Sequence, residues 1–147
     1  MRILVQEDAF DLGAETEAFT KAQETAGAVV TFTGIVRNNA EGTLKTMRIE
    51  HYPGMTEKAL TKIAQEASER WDISDTLVIH RHGDMAPGER IMMVATASKH
   101  RVHAFEAAEF LMDFLKSRAP FWKKEITADD AEWVAAKDSD EDALNRW

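Results

Sequence analysis

SKHRVHAFEAAEFLMDFLKSRAPFWKKE, residues 98–125, is the stretch around which the fold of this chain is expected to be organised. It has the pattern of one amphipathic helix with a basic group at each end. The apolar residues predicted to share one helical face recur at three- and four-residue spacing: Phe105, Ala108, Met112 and Leu115. Because Pro120 cannot continue a helix, we expect the helix to end near Arg118.

The charge of this stretch is opposite to that of the whole chain. Six Lys or Arg side chains between Lys99 and Lys124 outnumber three acids, a local balance of +3, whereas the full chain carries −8. Lys99, His100 and Arg101 fall in the predicted first turn, where the helix dipole favours anions. Free backbone N–H groups beside an Arg form a binding site for phosphate or carboxylate. The alternative is an ordinary solvated helix start, since exposed Lys and Arg are common.

Length and composition indicate a globular chain with one domain, residues 1–147. The sequence is 44% hydrophobic and 30% charged, and it has no apolar run near the roughly 20 residues that a membrane span requires. The first residues, MRILVQEDAFDLG, lack the apolar core of a signal peptide. We therefore predict a cytoplasmic location.

The absence of cysteine and the acidic charge exclude several classes of function. Without cysteine there is no disulfide, no cysteine nucleophile and no thiolate metal site, so any sulfur chemistry requires sulfur from a partner. A pI near 5.1 argues against nucleic-acid binding, which needs a broad basic face. A local basic pocket in an acidic protein suits a small anionic ligand better.

Hydrophobic patterns predict a mixture of helices and strands, so the fold class is α+β. The predicted strands are Arg2–Val5, Ala28–Val36, Leu44–His51, Thr76–His82, Arg90–Ser98 and Phe121–Ile126. The other predicted helices are Glu15–Thr25, Met55–Trp71 and a final helix that opens at Thr127, with Trp133 and Val134 as its anchors. Ala28–Val36 is apolar on both faces, as a buried strand is, and we expect it to form a hairpin with Leu44–His51. The segment GDMAPGE is predicted to be a loop.

Lys116 and Lys123 are the strongest candidates for chemistry. One lies in the last predicted helical turn and the other just beyond Pro120, so both can reach one pocket walled by Phe121 and Trp122. A lysine becomes a useful acid, base or nucleophile when burial or neighbouring cations lower its pKa. The alternative is that a lysine near a helix C-terminus only complements the helix dipole.

Two histidine pairs have spacings that could direct both rings at one ion. His80 and His82 are two apart on a predicted strand, and His100 and His103 are three apart on a helix. Metal sites need three or four ligands, and no further spacing completes either set. We therefore predict neither a metal nor a bound cofactor.

Four long segments together resemble the large, catalytic subunit of molybdopterin synthase. They are GAVVTFTGIVRN (27–38), EHYPGMTEKAL (50–60), HRHGDMAPGE (80–89) and the helix-centred stretch 98–125. The resemblance implies an α/β hammerhead fold with an additional antiparallel sheet. It also implies a sulfurtransferase of molybdenum cofactor biosynthesis that converts cyclic pyranopterin monophosphate to molybdopterin.

The partners implied by the resemblance are a small subunit and a second copy of this chain. In that family the sulfur arrives as a thiocarboxylate on the C-terminal Gly-Gly of a small ubiquitin-like subunit, and two large subunits form the centre of a heterotetramer. The lack of cysteine in this chain agrees with an external sulfur donor. The competing class is a non-catalytic module that binds a partner's C-terminal carboxylate, and a third is a phosphate-binding enzyme of unrelated chemistry.

The resemblance also implies which residues of this chain form the site. The catalytic residues are Lys116 and Lys123, and the substrate-binding residues are these two with Ile35, Val36, Arg37, His100, Arg101, Lys124 and Glu125. We expect Arg37, His100 and Arg101 to converge with the two lysines around one anion-holding cavity. Lys137 is a candidate for a residue lent to the pocket by a second protomer.

Overall fold

The computed structural model describes residues 1–147 and contains eight strands and four helices. The strands are β1 Arg2–Gln6, β2 Ala28–Ile35, β3 Thr46–His51, β4 Asp75–Arg81, β5 Gly83–Met85, β6 Arg90–Ser98, β7 Phe121–Ile126 and β8 Ala131–Trp133. The helices are α1 Leu12–Lys21, α2 Met55–Arg70, α3 Arg101–Ser117 and α4 Asp138–Leu144. No helix combines the length and the apolar character that a membrane crossing requires.

The first sheet has the strand order β1-β4-β6-β2, with β1 parallel to β4 and the other neighbours antiparallel. Alternate residues of β4 and β6 face opposite sides, as strand geometry requires. Val78 and Val94 pack with α2 and α3, whereas Ile79 and Met93 pack with Phe19 of α1. Helices therefore cover both faces of this sheet.

The second sheet has the order β5-β3-β7-β8 and is antiparallel throughout. Met47, Ile49 and Met85 of this sheet belong to the same buried cluster as Leu60 of α2 and Phe110 of α3. The two sheets thus share one core. Mixed helices and strands in two sheets confirm the α+β class and the additional antiparallel sheet.

The sequence predicted the two long helices well. The structure places α2 within one residue of the expected range, and α3 ends at Ser117 with Arg118 as its C-cap, as Pro120 led us to expect. The predicted apolar face of α3 was wrong at one position, because Phe105 is 59% exposed. The buried face consists of Ala104, Ala107, Ala108, Phe110, Leu111 and Leu115.

Four predictions about the sheets and the final helix were wrong. The expected hairpin does not form, since β2 pairs with β6 and β3 pairs with β5 and β7 in the other sheet. Strand β2 is an edge strand with Phe32 exposed, and the predicted loop GDMAPGE contains the short strand β5. Thr127 opens a turn closed by its hydrogen bonds with Asp130, and the final helix begins only at Asp138.

Trp133 and Val134 do not anchor the final helix, because both are exposed. The indole of Trp147 does so instead. Its Nε1 donates to Asp113 of α3 at 2.6 Å, and its ring makes edge contacts with Trp71 and Phe110. The anchor that the sequence pattern missed therefore lies beyond the helix.

Gly27 sets the close approach between the start of β2 and the segment that leads into α3. Its N–H donates to the Ser98 carbonyl at 3.0 Å, and an added Cβ would lie 2.6 Å from the backbone oxygen of Lys99. A backbone atom cannot rotate away, so we expect Gly27→Ala to lower the free energy of unfolding by about 1–3 kcal/mol. Urea titration measures this.

The control for that substitution is Gly13→Ala in α1. A Cβ at Gly13 meets only the Asp11 side chain at an ordinary 3.5 Å, and alanine favours the helix. We expect this variant to be as stable as the parent chain or slightly more stable. Equal stability of the Gly27 and Gly13 variants would contradict the proposed clash.

Candidate active site

Lys116 and Lys123 lie side by side at the end of the chain's long helix. The backbone N–H of Arg118 donates to the Phe114 carbonyl at the end of α3, and the chain then passes Pro120 and enters β7. Lys123 is half-buried, and this burial, followed by the adjacent ammonium of Lys116, lowers the pKa of Lys123 to about 8. Near neutral pH the pair can therefore hold one ammonium beside an amine that loses its proton readily.

Helix α4 contributes Asp140, and its N-cap contributes Lys137, as two further charged residues that act on Lys123. Asp140 raises the pKa of Lys123 and Lys137 lowers it, both weakly compared with burial. Arg118 holds the helix by donating to Glu141 at 2.6 Å, and Arg146 beyond it bonds to Glu109 of α3 at 2.6 Å. The same chain thus brings Lys137, which we considered as a residue lent by a second protomer, close to its own Lys123.

Arg37 lies at the same end of the first sheet as the lysine pair. Strand β2 runs antiparallel to β6, so its last residue, Ile35, lies opposite Arg90. Helix α3 follows β6 and packs on this sheet, so its C-terminal turn returns toward that end. Arg37 and Ile35 are exposed there, while Val36 is buried with its N–H bonded to Glu89 and its carbonyl to Gly88.

His100 and Arg101 lie at the opposite end of α3. His100 is the N-cap and Arg101 the first helical residue, both are exposed, and the first turn carries no acid. Lys116 is fifteen helical steps beyond Arg101, so at 1.5 Å per residue their backbones are about 22 Å apart. A single chain therefore does not bring all five basic residues together, because a continuous helix separates His100 and Arg101 from the others.

Lys124 and Glu125 follow Lys123 on β7 and point to alternate faces of the second sheet. The Lys124 ammonium lies 5.1 Å from the ring centroid of Trp133, with Arg48 as its neighbour on β3. Glu125 shares the face of Lys123. The single run of substrate-binding residues expected at Lys123–Glu125 is thus divided between two faces of the sheet.

His80 is the residue near the lysines that sequence reasoning considered only as a possible metal ligand. It is 6% exposed on β4, and burial, with smaller contributions from Lys123 and Lys116, lowers its pKa. Asp140, beside Lys123, was also missed. The only signal for His80 was a polar residue in an otherwise apolar strand, and no sequence signal placed Asp140.

Comparison with known proteins identifies the family of this chain. The family described as MoaE protein matches residues 5–118. The molybdopterin synthase catalytic subunit of Cereibacter sphaeroides is 63% identical over 147 residues, which cover all of both chains.

Solved structures share the fold as well. The molybdopterin biosynthesis MoaE protein of Burkholderia ambifaria matches with a TM-score of 0.85 and 49% identity over 99% of this chain and 97% of its own. One chain of a Helicobacter pylori structure, described as a complex of subunits 1 and 2 of molybdopterin-converting factor, matches with a TM-score of 0.79. Its 20% identity, over 92% of this chain and 91% of its own, supports the likeness of fold alone. The family match, together with full-length identity of this level, shows that the chain belongs to the MoaE family of molybdopterin synthase catalytic subunits.

Proposed function

We infer that this chain is the catalytic subunit of a molybdopterin synthase, a sulfurtransferase that converts cyclic pyranopterin monophosphate to molybdopterin. The lysine pair is the observation that carries the chemical part of this inference. A half-buried Lys123 with a pKa of about 8 beside Lys116 can lose and regain a proton near neutral pH, which a site that only holds a carboxylate does not require. It suits proton transfer, and this favours an enzyme over a non-catalytic carboxylate-binding module.

The roles of the two lysines follow from their surroundings. Lys123 exchanges a proton as sulfur adds to the substrate and oxygen leaves, because its pKa is the one lowered into the working range. Lys116, exposed at the helix end, stabilises the thiocarboxylate and the developing oxyanion. Arg37, at the same end of the sheet, holds an anionic group of the substrate.

The substrate phosphate requires a second anion site, and the start of α3 supplies its components. His100, Arg101 and the free N–H groups of the first turn suit a phosphate. Because about 22 Å of helix separates this group from Lys116, we propose that the complete pocket combines the lysines of one chain with His100 and Arg101 of a second copy. Ile35, Val36, Lys124 and Glu125 remain proposed substrate contacts.

Exposed apolar residues support association with a second copy. Val102 and Phe105 are 56% and 59% exposed on α3 beside His100 and Arg101, and Phe32 is 41% exposed on the edge strand β2. Apolar side chains of this size favour burial in an interface. A homodimer is therefore proposed as the form that completes the site.

Mixing two inactive variants tests the shared pocket. Lys123→Ala and Arg101→Ala chains are each expected to be inactive as homodimers. Heterodimers contain one site with both residues intact, so random mixing of equal amounts should restore about a quarter of the activity of the parent chain. Mixing after subunit exchange, followed by a product assay, gives the readout. A site contained within one chain would instead leave every mixture inactive.

The sulfur donor is proposed to be a small ubiquitin-like subunit with a C-terminal Gly-Gly thiocarboxylate. The name of the 63% identical relative is that of a subunit, and this chain has no cysteine of its own to carry sulfur. Two such small subunits on a central homodimer give a heterotetramer. We place the reaction in the cytoplasm.

Supplying this chain with the thiocarboxylated small subunit and the cyclic pterin phosphate tests the function as a whole. Formation of the dithiolene product supports the enzyme. Binding of the small subunit with no product would favour the carboxylate-binding module, and turnover of the phosphate ester without sulfur incorporation would favour unrelated chemistry.

A further inference from the structure

His51 and His82 place two imidazole rings side by side where the two sheets meet. Their ring centroids are 4.4 Å apart, and the ring planes are tilted by 44°. His51 is the last residue of β3 in the second sheet. His82 is the single residue between β4 of the first sheet and β5 of the second. The contact between the rings therefore lies at the point where the chain passes from one sheet to the other.

The backbone around His82 makes this crossing within two residues. The N–H of His82 donates to the carbonyl of Gln6, the last residue of β1, at 3.0 Å. Gly83 follows with a φ of +92°, a backbone conformation that residues with a Cβ rarely adopt, and pairs with Ile49 of β3. His82 is thus held by the first sheet and Gly83 by the second, so a force on the ring of His82 acts on the joint between them.

Hydrogen bonds around Thr56 determine where His51 carries its proton. Thr56 Oγ1 donates to the Tyr52 carbonyl at 2.9 Å and accepts from the Tyr52 N–H at 3.2 Å. Its third neighbour is Nδ1 of His51, at 3.1 Å. A hydroxyl has one proton and the carbonyl receives it, so Nδ1 of His51 must donate, which leaves Nε2 as the acceptor. A further proton on this ring can therefore enter only at Nε2.

The acidic groups that face the two rings come from four places in the chain. They are Glu7 after β1, Glu50 of β3, Glu57 of α2 and Asp84 of β5. Glu57 accepts from the Gly54 N–H at 2.7 Å and Asp84 accepts from Arg48 at 2.7 Å, whereas Glu7 and Glu50 make no ion pair. Carboxylates stabilise a nearby cation, so this set favours one proton on the pair of rings.

The basic groups near the rings oppose a second proton. They are Arg48 of β3, His80 of β4 and Lys123 of β7, which lies on the same face of the second sheet as His51. Burial first, and then His82, lower the pKa of His51, while Glu57 acts in the opposite direction. Two positive rings 4.4 Å apart would also repel each other directly.

We propose that the contact between His51 and His82 is an acid-sensitive joint between the two sheets, which stays closed while at most one ring is charged and opens when both rings are charged. Opening separates His82 and β5 from the end of β3, while β4 and β6 keep their pairing in the first sheet. The second sheet therefore loosens in acid before the first. This device is independent of the function proposed for the lysines.

Proton NMR titration of the histidine rings tests the coupling within the pair. In the parent chain the signals of each ring should change in two steps with pH, because each ring senses the proton on the other. His82→Gln keeps a polar side chain that cannot be charged, so His51 should then titrate in one step and at a higher pH, closer to the ordinary value of 6.5. His103→Gln, near the start of α3, should leave the titration of His51 unchanged. A His51 titration that is the same in His82→Gln as in the parent chain would overturn the proposal.

Amide hydrogen exchange tests whether the joint opens. Between about pH 7.5 and about pH 5, after correction for the intrinsic exchange rate, the protection of β5 should fall about tenfold more than that of β4 and β6. His82→Gln should remove this difference between the sheets, and His103→Gln should retain it. Equal loss of protection in both sheets, or a difference that persists in His82→Gln, would contradict the joint.

The pH dependence of the free energy of unfolding gives a third measurement. Because the pKa of His51 is lowered, the folded chain binds fewer protons than the unfolded chain below about pH 6.5, and stability falls as the pH falls. The buried His80 acts in the same direction, but it does so in both the parent chain and His82→Gln. The loss of stability between about pH 7.5 and about pH 5 should therefore be smaller in His82→Gln. If that variant does not fold, the parent titration decides, and one-step curves for both rings would refute the coupling.

Discussion

Substitution of Lys123 by alanine is expected to reduce product formation by about 10²–10⁴-fold. The amine whose pKa is lowered to about 8 by burial and by Lys116 is then missing, and no other described side chain of β7 replaces it. The fold should survive, because Lys123 is only half-buried and makes no ion pair with an acid. Single-turnover assays with the thiocarboxylated small subunit measure the rate, and titration calorimetry measures binding of that subunit.

Two further variants separate proton transfer from charge at this position. Lys123→Arg keeps a cation that cannot lose its proton, so we expect it to be nearly as inactive as the alanine variant. Lys62→Ala removes an exposed lysine on α2 and should retain parent activity. Normal turnover in Lys123→Arg would show that charge alone is needed and would contradict the proton-transfer role.

The lowered pKa of Lys123 predicts the direction in which the turnover rate and the stability change with pH. Below about pH 8 Lys123 is charged and above it the neutral amine dominates, so a rate that needs the amine rises with pH through that midpoint.

The folded state also binds fewer protons than the unfolded chain between about pH 8 and the ordinary lysine pKa of 10.5. Stability should therefore increase with pH across this window, and Lys123→Ala should remove that increase.

Replacement of Phe110 by alanine is expected to lower the free energy of unfolding by about 3–5 kcal/mol. Phe110 is fully buried in α3, and its ring contacts Trp71, Phe114 and Trp147. Removing it leaves a cavity at the junction of α2, α3 and the residue that anchors α4. Urea denaturation followed by circular dichroism measures the change.

Phe105→Ala is the matched control on the same helix. Phe105 is 59% exposed, so its truncation should cost less than about 1 kcal/mol in the isolated chain. Measurement at two protein concentrations identifies any contribution from self-association, because only that contribution depends on concentration. Equal losses for Phe105 and Phe110 at low concentration would contradict the buried face described for α3.

The sequence predicted the lysine pair because the relation between its members is local. Six residues separate Lys116 from Lys123, and Pro120 ends the helix between them, so helix geometry and a helix breaker suffice to bring them together. The failures arose where the relation is long-range. The partner of β2 is β6, more than 50 residues away, and nothing in the apolar pattern distinguishes it from the nearer β3.

One chain alone does not bring the predicted set of basic residues together. The sequence predicted their positions correctly, since His100 and Arg101 lie at the start of a helix and Lys116 lies in its last turn. The length of the predicted helix also implied the distance between the two groups, because a continuous helix of 17 residues holds its ends apart. Within one chain, α3 therefore keeps the two basic groups apart.

The amino-acid sequence by itself determined the two long helices and the positions of the candidate catalytic lysines, because these depend on local periodicity, helix termination and residue type. Four long segments of the sequence carried the resemblance to the family. Tertiary structure alone decided which strands pair, that the buried His80 ring stacks on Phe121 of β7, and that α3 separates the two basic groups. Those features depend on contacts between residues distant along the chain, which only the packing of the common core brings together.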